Sequence, residues 1–218
     1  MPYLILRKEL IMVLSNKLWK ENSDLASLSL NTPFVKGIKD GTLPIESFQL
    51  YIAQDYYFLE SFAHAYGLAI SKCNDRNSIQ KLSELLMGVS EELVMHENYA
   101  KSWGIDISKN TLREETKAYT DFLEQVAKEE ILIAILSAMT PCMKLYSWLG
   151  KELSIITKNN PYQNWVLTYS DDNFEKLAKT LESLIDKHHT KNNLEKVHYL
   201  YRRAMELELK FFNAYSNF

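Results

Sequence analysis

Cysteine, glycine and proline are all scarce in this sequence, and each scarcity excludes a class of protein. Two cysteines, Cys73 and Cys142, are too few for a disulfide framework. Six glycines and five prolines fall almost entirely between helical patterns, and strand-like alternation of β-branched residues is nearly absent. The composition therefore predicts an all-α protein, and 218 residues fit a single domain over residues 1–218 better than two domains.

An excess of charge of one sign and a long apolar run are also missing. The formal net charge is −3 with no basic block, so nothing favours a nucleic acid or an anionic membrane surface as partner. The longest apolar stretch, around residues 131–143, is shorter than the ~20 residues that a bilayer-spanning helix needs. We expect a soluble protein of the reducing cytoplasm, with no nucleic-acid or membrane partner.

The apolar periodicity that is present predicts helices joined by short segments. Residues 32–44 contain two glycines and two prolines, and we expect a turn-rich connection there. Short connections between long helices favour antiparallel neighbours and thus an up-and-down bundle. The helices are expected near residues 7–20 (with a continuation to 27 left open), 45–72, 76–103, 114–126, 129–156, 161–168, 171–188 and 194–215.

Residues 138–146, with the sequence AMTPCMKLY, concentrate the unusual features of the chain. Pro141 inside a helical pattern lacks an N–H donor and predicts a kink. Cys142 and Tyr146 are four residues apart and share one helix face. The pattern predicts a helix break that presents a thiol to a pocket, although a free cysteine is more often inert and buried than nucleophilic.

Two acids lie on helix faces that also carry aromatic residues. Asp55 shares its face with Phe58, and Glu208 shares its face with Phe212. A buried carboxylate without a partner costs free energy, so such an acid is paired, protonated or functional. The alternatives are an Asp55 that is structural and bonded to a tyrosine, and a solvated Glu208 that pairs with a nearby lysine or arginine.

A metal site has only one candidate pair. Glu92 and His96 have the four-residue spacing of helical metal ligands, but no second Glu–His pair completes a di-iron site of the bundle type. We expect no metal and interpret His96 as a core histidine or one that supports the site. A metal-dependent oxidase remains an alternative function.

Aromatic residues are abundant, with thirteen tyrosines, nine phenylalanines and four tryptophans. Most belong to the core by default. A subset of tyrosines near acids would suit a flat, nitrogen-bearing ring, since stacking holds its faces and hydroxyl groups bond its edge. These are Tyr57, Tyr119, Tyr146 and Tyr169.

Five stretches, taken together, resemble the thiaminase II family, also called TenA. They are residues 33–44, 48–59, 138–146, 162–169 and 208–215, in matching order and spacing. The resemblance implies a heme-oxygenase-like helical bundle without heme or another cofactor, and usually a homotetramer. It also implies thiamin salvage, by hydrolysis of 4-amino-5-aminomethyl-2-methylpyrimidine to the 5-hydroxymethyl compound, with thiamin a poorer or alternative substrate.

The resemblance also implies roles for single residues. Cys142 would be the nucleophile that adds to the pyrimidine ring, and Glu208 would protonate a ring nitrogen. Asp55 would accept a hydrogen bond from the exocyclic amino group. These roles fit the chemistry, because a neutral pyrimidine accepts a thiolate poorly until it is protonated.

Tyr146 and Tyr169 would line the ring, and Tyr119 falls where the family has a tyrosine near the thiol. Phe58 is a departure, because the family often has a tyrosine at this position, whose hydroxyl supports the thiol. The thiol would then depend on other groups. A non-catalytic pyrimidine-binding protein on the same bundle is therefore a further alternative.

Overall fold

A computed structural model describes residues 13–102, 104–105, 111–155 and 159–216, and all regular secondary structure in these residues is helical. This confirms the all-α prediction. A short 3-10 helix, Lys191–Asn193, precedes the last α-helix. The α-helices are α1 Leu14–Glu21, α2 Ser23–Leu30, α3 Pro33–Asp40, α4 Ile45–Ser71, α5 Arg76–Ser102, α6 Glu114–Glu129, α7 Leu132–Glu152, α8 Gln163–Ser170, α9 Asp172–His188 and α10 Leu194–Ala214.

Helix α7 lies at the centre of the bundle. It packs against α10, α9, α8, α6 and α4, and α4 in turn packs against α5 and α6. Most of its side chains are buried, from Ile133 near its start to Leu149 near its end. Because an apolar helix has to be covered on every side, the other helices arrange around α7.

The predicted turn-rich connection over residues 32–44 is wrong over Pro33–Asp40, which form α3. Thr32 caps this helix by accepting a hydrogen bond from the Val35 N–H at 3.3 Å, and Pro33 occupies the first turn. Gly41 ends the helix in the left-handed conformation, with φ of 70°. Proline and glycine here mark the two ends of a short helix.

The predicted first helix is also different. Its residues 7–12 lie outside the described residues, and the remainder divides into α1 and α2 at Asn22. The Asn22 side chain donates to the Leu18 carbonyl at 2.8 Å, so a buried amide satisfies the end of α1. Residues 103 and 156, where two other predicted helices were expected to end, are also outside the described residues.

The helix break predicted at Pro141 is wrong, because α7 continues through this residue. Pro141 has no N–H to donate to the carbonyl one turn earlier. The hydroxyl groups beside it bond backward along the helix, Ser137 to the Ile133 carbonyl and Thr140 to the Leu136 carbonyl, each at 2.7 Å. Packing from several neighbouring helices holds α7 together across the missing bond.

Helix α7 also corrects the expectation that every apolar stretch is too short to span a bilayer. Among the described residues it is the one helix long and apolar enough to cross a membrane, by length and composition alone. However, 78% of the relevant stretch is buried inside the protein. Its apolar character is therefore accounted for by its central position in the bundle.

Gly150 sets the distance between α7 and α8. A Cβ atom at this position would lie 2.3 Å from the carbonyl carbon of Tyr169 and 2.5 Å from the backbone nitrogen of Ser170. Only glycine allows so close a backbone approach. This contact fixes the end of α8, and with it Tyr169, against the helix that carries Cys142.

We predict that Gly150→Ala lowers the free energy of unfolding by about 2–3 kcal/mol, because the added methyl group overlaps backbone that cannot move aside. Chemical denaturation of the two proteins measures the difference. Gly67→Ala is the matched control, since Gly67 is exposed on α4 with nothing within 4 Å of the added carbon. The control should be neutral or stabilising by up to about 1 kcal/mol; equal stability of both variants would contradict the prediction.

Candidate active site

A small cavity lies between α4, α5, α7, α8 and α9, and its free volume is about 10 Å³. This is room for about one water molecule, so a larger ligand needs side chains to move. Five residues proposed from the sequence line it, namely Asp55, Phe58, Cys142, Tyr146 and Tyr169. The other lining residues are Leu59, Phe62, Glu92, Met143 and Phe174.

The Cys142 thiol is half-buried on the wall of this cavity, in contact with Glu208 from α10. Burial raises the pKa of the thiol well above its usual range, and the nearby carboxyl groups of Glu208, Asp55 and Glu92 raise it further. The resting sulfur is therefore protonated. A protonated thiol is a poor nucleophile unless a neighbouring group accepts its proton, and the Glu208 carboxyl is the acidic group in contact with this sulfur.

Glu208 is 1% exposed. Its Oε1 atom accepts a hydrogen bond from the Tyr119 hydroxyl at 2.8 Å. Burial raises the pKa of this carboxyl to about 7, although the contacts with Tyr119 and Cys142 oppose the shift. At neutral pH both of its protonation states are populated, as a group that takes up and delivers protons requires.

Asp55 also lines the cavity and is 3% exposed. Its Oδ2 atom is 3.5 Å from the His96 Nε2 atom. Burial raises the pKa of Asp55 well above its usual range, helped by Glu92 and Glu208, and burial lowers the pKa of His96 to about 4. The uncharged forms of both groups are favoured, and the histidine lies behind the acid as its neighbour in the core.

Tyrosine side chains form one wall of the cavity. The rings of Tyr146 and Tyr169 meet edge to face with their centroids 4.8 Å apart. Behind them, the Trp165 indole N–H donates to the Tyr51 hydroxyl at 3.2 Å, and Tyr51 donates to the Tyr146 hydroxyl at the same distance. Sequence reasoning did not assign Tyr51 or Trp165 to the site, although Tyr51 lies one turn before Asp55.

Phe58 packs against Tyr119, with ring centroids 4.7 Å apart, and lines the cavity beside the thiol. It brings no hydroxyl group to the sulfur. Tyr119 donates its own hydroxyl to Glu208. The polar support of the thiol therefore comes from Glu208, while Tyr57, which the sequence also suggested, does not line this cavity.

Glu92 was considered on sequence grounds only as a metal ligand, and the structure gives it a different partner. Its Oε1 atom accepts a hydrogen bond from the Tyr169 hydroxyl at 2.7 Å, whereas His96 lies against Asp55. Burial raises the pKa of Glu92 to about 7. The part of the chain that the structure describes contains no group of three or more His, Cys, Asp and Glu side chains placed to hold a metal ion.

A helical bundle that encloses one thiol and three carboxyl groups beside a wall of tyrosines defines the class of protein. The chain belongs to the TENA/THI-4/PQQC family, whose model matches residues 19–217. This confirms the resemblance drawn from the five sequence stretches.

Two relatives show the range of proteins that the chain is similar to. It is 36% identical to the mitochondrial bifunctional TH2 protein of Arabidopsis thaliana over 92% of this chain, but it spans only 37% of that protein's length. It is 29% identical to the aminopyrimidine aminohydrolase of Halalkalibacterium halodurans over 78% of this chain and 79% of that one.

Solved structures agree on the fold. A TenA family transcription regulator from Silicibacter sp. TM1040 superposes with a TM-score of 0.88 at 26% identity, covering 94% of this chain and 97% of that one. Heme oxygenase-1 from Synechocystis sp. PCC6803 superposes with a TM-score of 0.61 at 17% identity, covering 93% and 92%. The heme-oxygenase-like bundle expected from the resemblance is confirmed.

The buried carboxyl of Glu208 predicts a measurable dependence of stability on pH. Its pKa is about 7 in the folded protein and close to 4.5 in the unfolded chain, so the folded state binds more protons between these values. The free energy of unfolding should fall as pH rises through this window. Glu208→Gln should therefore become more stable than wild type by about 1–3 kcal/mol at pH 8, and this gain should fade toward pH 5.

Denaturant melts of both proteins at the two pH values measure this difference. Glu206→Gln is the matched control, because Glu206 lies on the outer face of the same helix with Arg202 and Arg203. The control should follow the pH dependence of wild type. A Glu208→Gln variant that is no more stable than wild type at pH 8 would show that the carboxyl is not held in a destabilising site.

Proposed function

We propose that this protein is a cysteine-dependent hydrolase that converts 4-amino-5-aminomethyl-2-methylpyrimidine and water into the 5-hydroxymethyl compound and ammonia. The observation that carries the proposal is that Cys142 and Asp55, from two separate helices, line one cavity, while Glu208 from a third helix contacts the Cys142 thiol. The name of the Halalkalibacterium relative supports the reaction class. Thiamin metabolism is the setting that the family membership favours.

The substrate ring would lie against Tyr146 and Tyr169, whose faces and hydroxyl groups suit a flat heterocycle. Asp55 would accept a hydrogen bond from the exocyclic amino group of the ring and so fix its orientation. The buried His96 ring, 3.5 Å from Asp55, limits the positions available to that carboxyl. An aromatic ring held at both its face and its edge presents one carbon to the sulfur.

The covalent step needs a proton to move from sulfur to the ring. Cys142 loses its proton to Glu208 as the sulfur bonds to a ring carbon, and Glu208 delivers a proton to a ring nitrogen. The ring electrons then expel the amine, which leaves the exocyclic carbon with an added proton as ammonia, and water adds there and gives up a proton. The carbon–sulfur bond breaks, the ring becomes aromatic again, and the proton on the ring nitrogen returns to the sulfur through Glu208. The raised pKa of Glu208, about 7, suits this exchange.

The test is ammonia release by the purified protein from the aminomethyl-pyrimidine. Cys142→Ser should lower kcat by about 10³-fold or more, because a hydroxyl group cannot replace the thiolate. Cys73→Ser is the matched control, since Cys73 is buried beyond the end of α4 and does not line the cavity. No turnover by wild type, or undiminished turnover by Cys142→Ser, would refute the proposal.

Measurements of pyrimidine binding and of oxygen consumption, made beside the ammonia assay, separate the alternatives drawn from the sequence. A non-catalytic binder would bind the hydroxymethyl-pyrimidine tightly and form no product, and a metal-dependent oxidase would consume oxygen instead of releasing ammonia. A cytoplasmic location and a homotetramer, expected from the scarcity of cysteine and from the resemblance, belong to the same proposal. Sedimentation of the 25.4 kDa chain tests the assembly, and a monomer would contradict it.

A further inference from the structure

Glu92 stands between the inner cavity and a second, larger pocket. The outer pocket has a volume of about 300 Å³ and lies between α5, α7, α8 and α9. Three residues line both spaces, namely Glu92, Met143 and Phe174. A substituent that leaves a ring held in the inner cavity therefore has a neighbouring space to pass into, and the carboxyl of Glu92 lies at the boundary.

The surroundings of Glu92 leave its carboxyl available to a ligand. Among the described residues, Tyr169 alone donates a hydrogen bond to it, at 2.7 Å to Oε1. No described lysine or arginine pairs with it or lines either space. Burial raises the pKa of this carboxyl to about 7, so it is partly protonated at neutral pH.

The proposed reaction has a step that the other two acids do not serve. In that reaction, Asp55 bonds to the exocyclic amino group of the ring, and Glu208 exchanges protons between the sulfur and a ring nitrogen. An amine leaves carbon readily only when it departs with an added proton, since the amide ion is too basic to be expelled. An amine bound in its neutral form therefore needs an acid near the exocyclic carbon, on the side where the leaving group departs.

We propose that Glu92 is the general acid that protonates the departing amine and then the base that accepts a proton from the attacking water. This inference rests on the proposed function. As the carbon–nitrogen bond breaks, the Glu92 carboxyl gives its proton to the nitrogen, and neutral ammonia leaves. As the water oxygen bonds to the same carbon, the Glu92 carboxylate takes a proton from the water, which restores the acid. Tyr169 positions the carboxyl through its hydrogen bond.

A change of leaving group tests this role. Thiamin carries a thiazolium group at the same carbon, and this group departs as a neutral thiazole without a proton. A trimethylammonium analogue of the aminomethyl-pyrimidine departs as trimethylamine, also without a proton, and replaces thiamin in the comparison if wild type does not cleave thiamin. Single-turnover experiments then follow leaving-group release, which precedes the addition of water.

We expect Glu92→Gln to slow ammonia release by about 10²–10⁴-fold while thiazole or trimethylamine release stays within about fivefold of wild type. Glu92→Asp should recover part of the lost rate, because it restores a carboxyl one carbon shorter. Glu84→Gln is the matched control, since Glu84 is exposed on the same helix and lines neither the inner cavity nor the outer pocket. The Kd of the hydroxymethyl-pyrimidine should change little in Glu92→Gln, which shows that the cavity remains intact.

Equal slowing of both leaving groups would overturn the inference, because it would assign Glu92 to the packing of the tyrosine wall. An unchanged rate of ammonia release would overturn it as well. These failures are distinct from failure of the proposed function. If wild-type turnover depends on Cys142 while Glu92→Gln releases ammonia normally, the hydrolase stands and only the role of Glu92 is lost.

Discussion

The constraint on which the rest of the site depends is that two buried carboxyl groups, Asp55 and Glu208, and one half-buried carboxyl group, Glu92, lie around one thiol. No lysine or arginine is among the described residues that line the cavity, so neutralisation by a positive charge is not available. Burial instead raises the pKa of Glu208 and of Glu92 to about 7. A carboxyl group whose pKa is near 7 can both donate and accept a proton at neutral pH, because neither of its protonation states dominates.

The scaffold supplies the rigidity that such a cluster requires. Helix α7 is apolar along most of its length and is covered by the surrounding helices, so Cys142 is carried by the central helix of the bundle. The close approach at Gly150 fixes Tyr169 on α8, and Tyr169 in turn bonds to Glu92 on α5. The free energy lost by burying carboxyl groups is offset by the aromatic and aliphatic packing around them.

Much of the fold and part of the site could be predicted from the sequence. Apolar periodicity identified the long helices, and the aromatic neighbours of Asp55 and Glu208 marked both acids as buried. The prediction was wrong at two places that contain proline or glycine. In α3 these residues mark the two ends of a helix that was predicted as a turn-rich connection, and in α7 the packing holds Pro141 inside a helix that was predicted to break there. Glu92 was not predicted as a site residue, because spacing along α5 shows which residues share a face, but not that α8 places a tyrosine beside that face.

Titration of the glutamate side chains by carbon-13 NMR tests the central claim most directly. Two carboxyl signals should titrate with midpoints near pH 7, one absent from the Glu208→Gln spectrum and the other absent from Glu92→Gln. If every glutamate signal titrated near pH 4.5, the carboxyl groups would be solvated, and the account of a buried proton-carrying site would be contradicted.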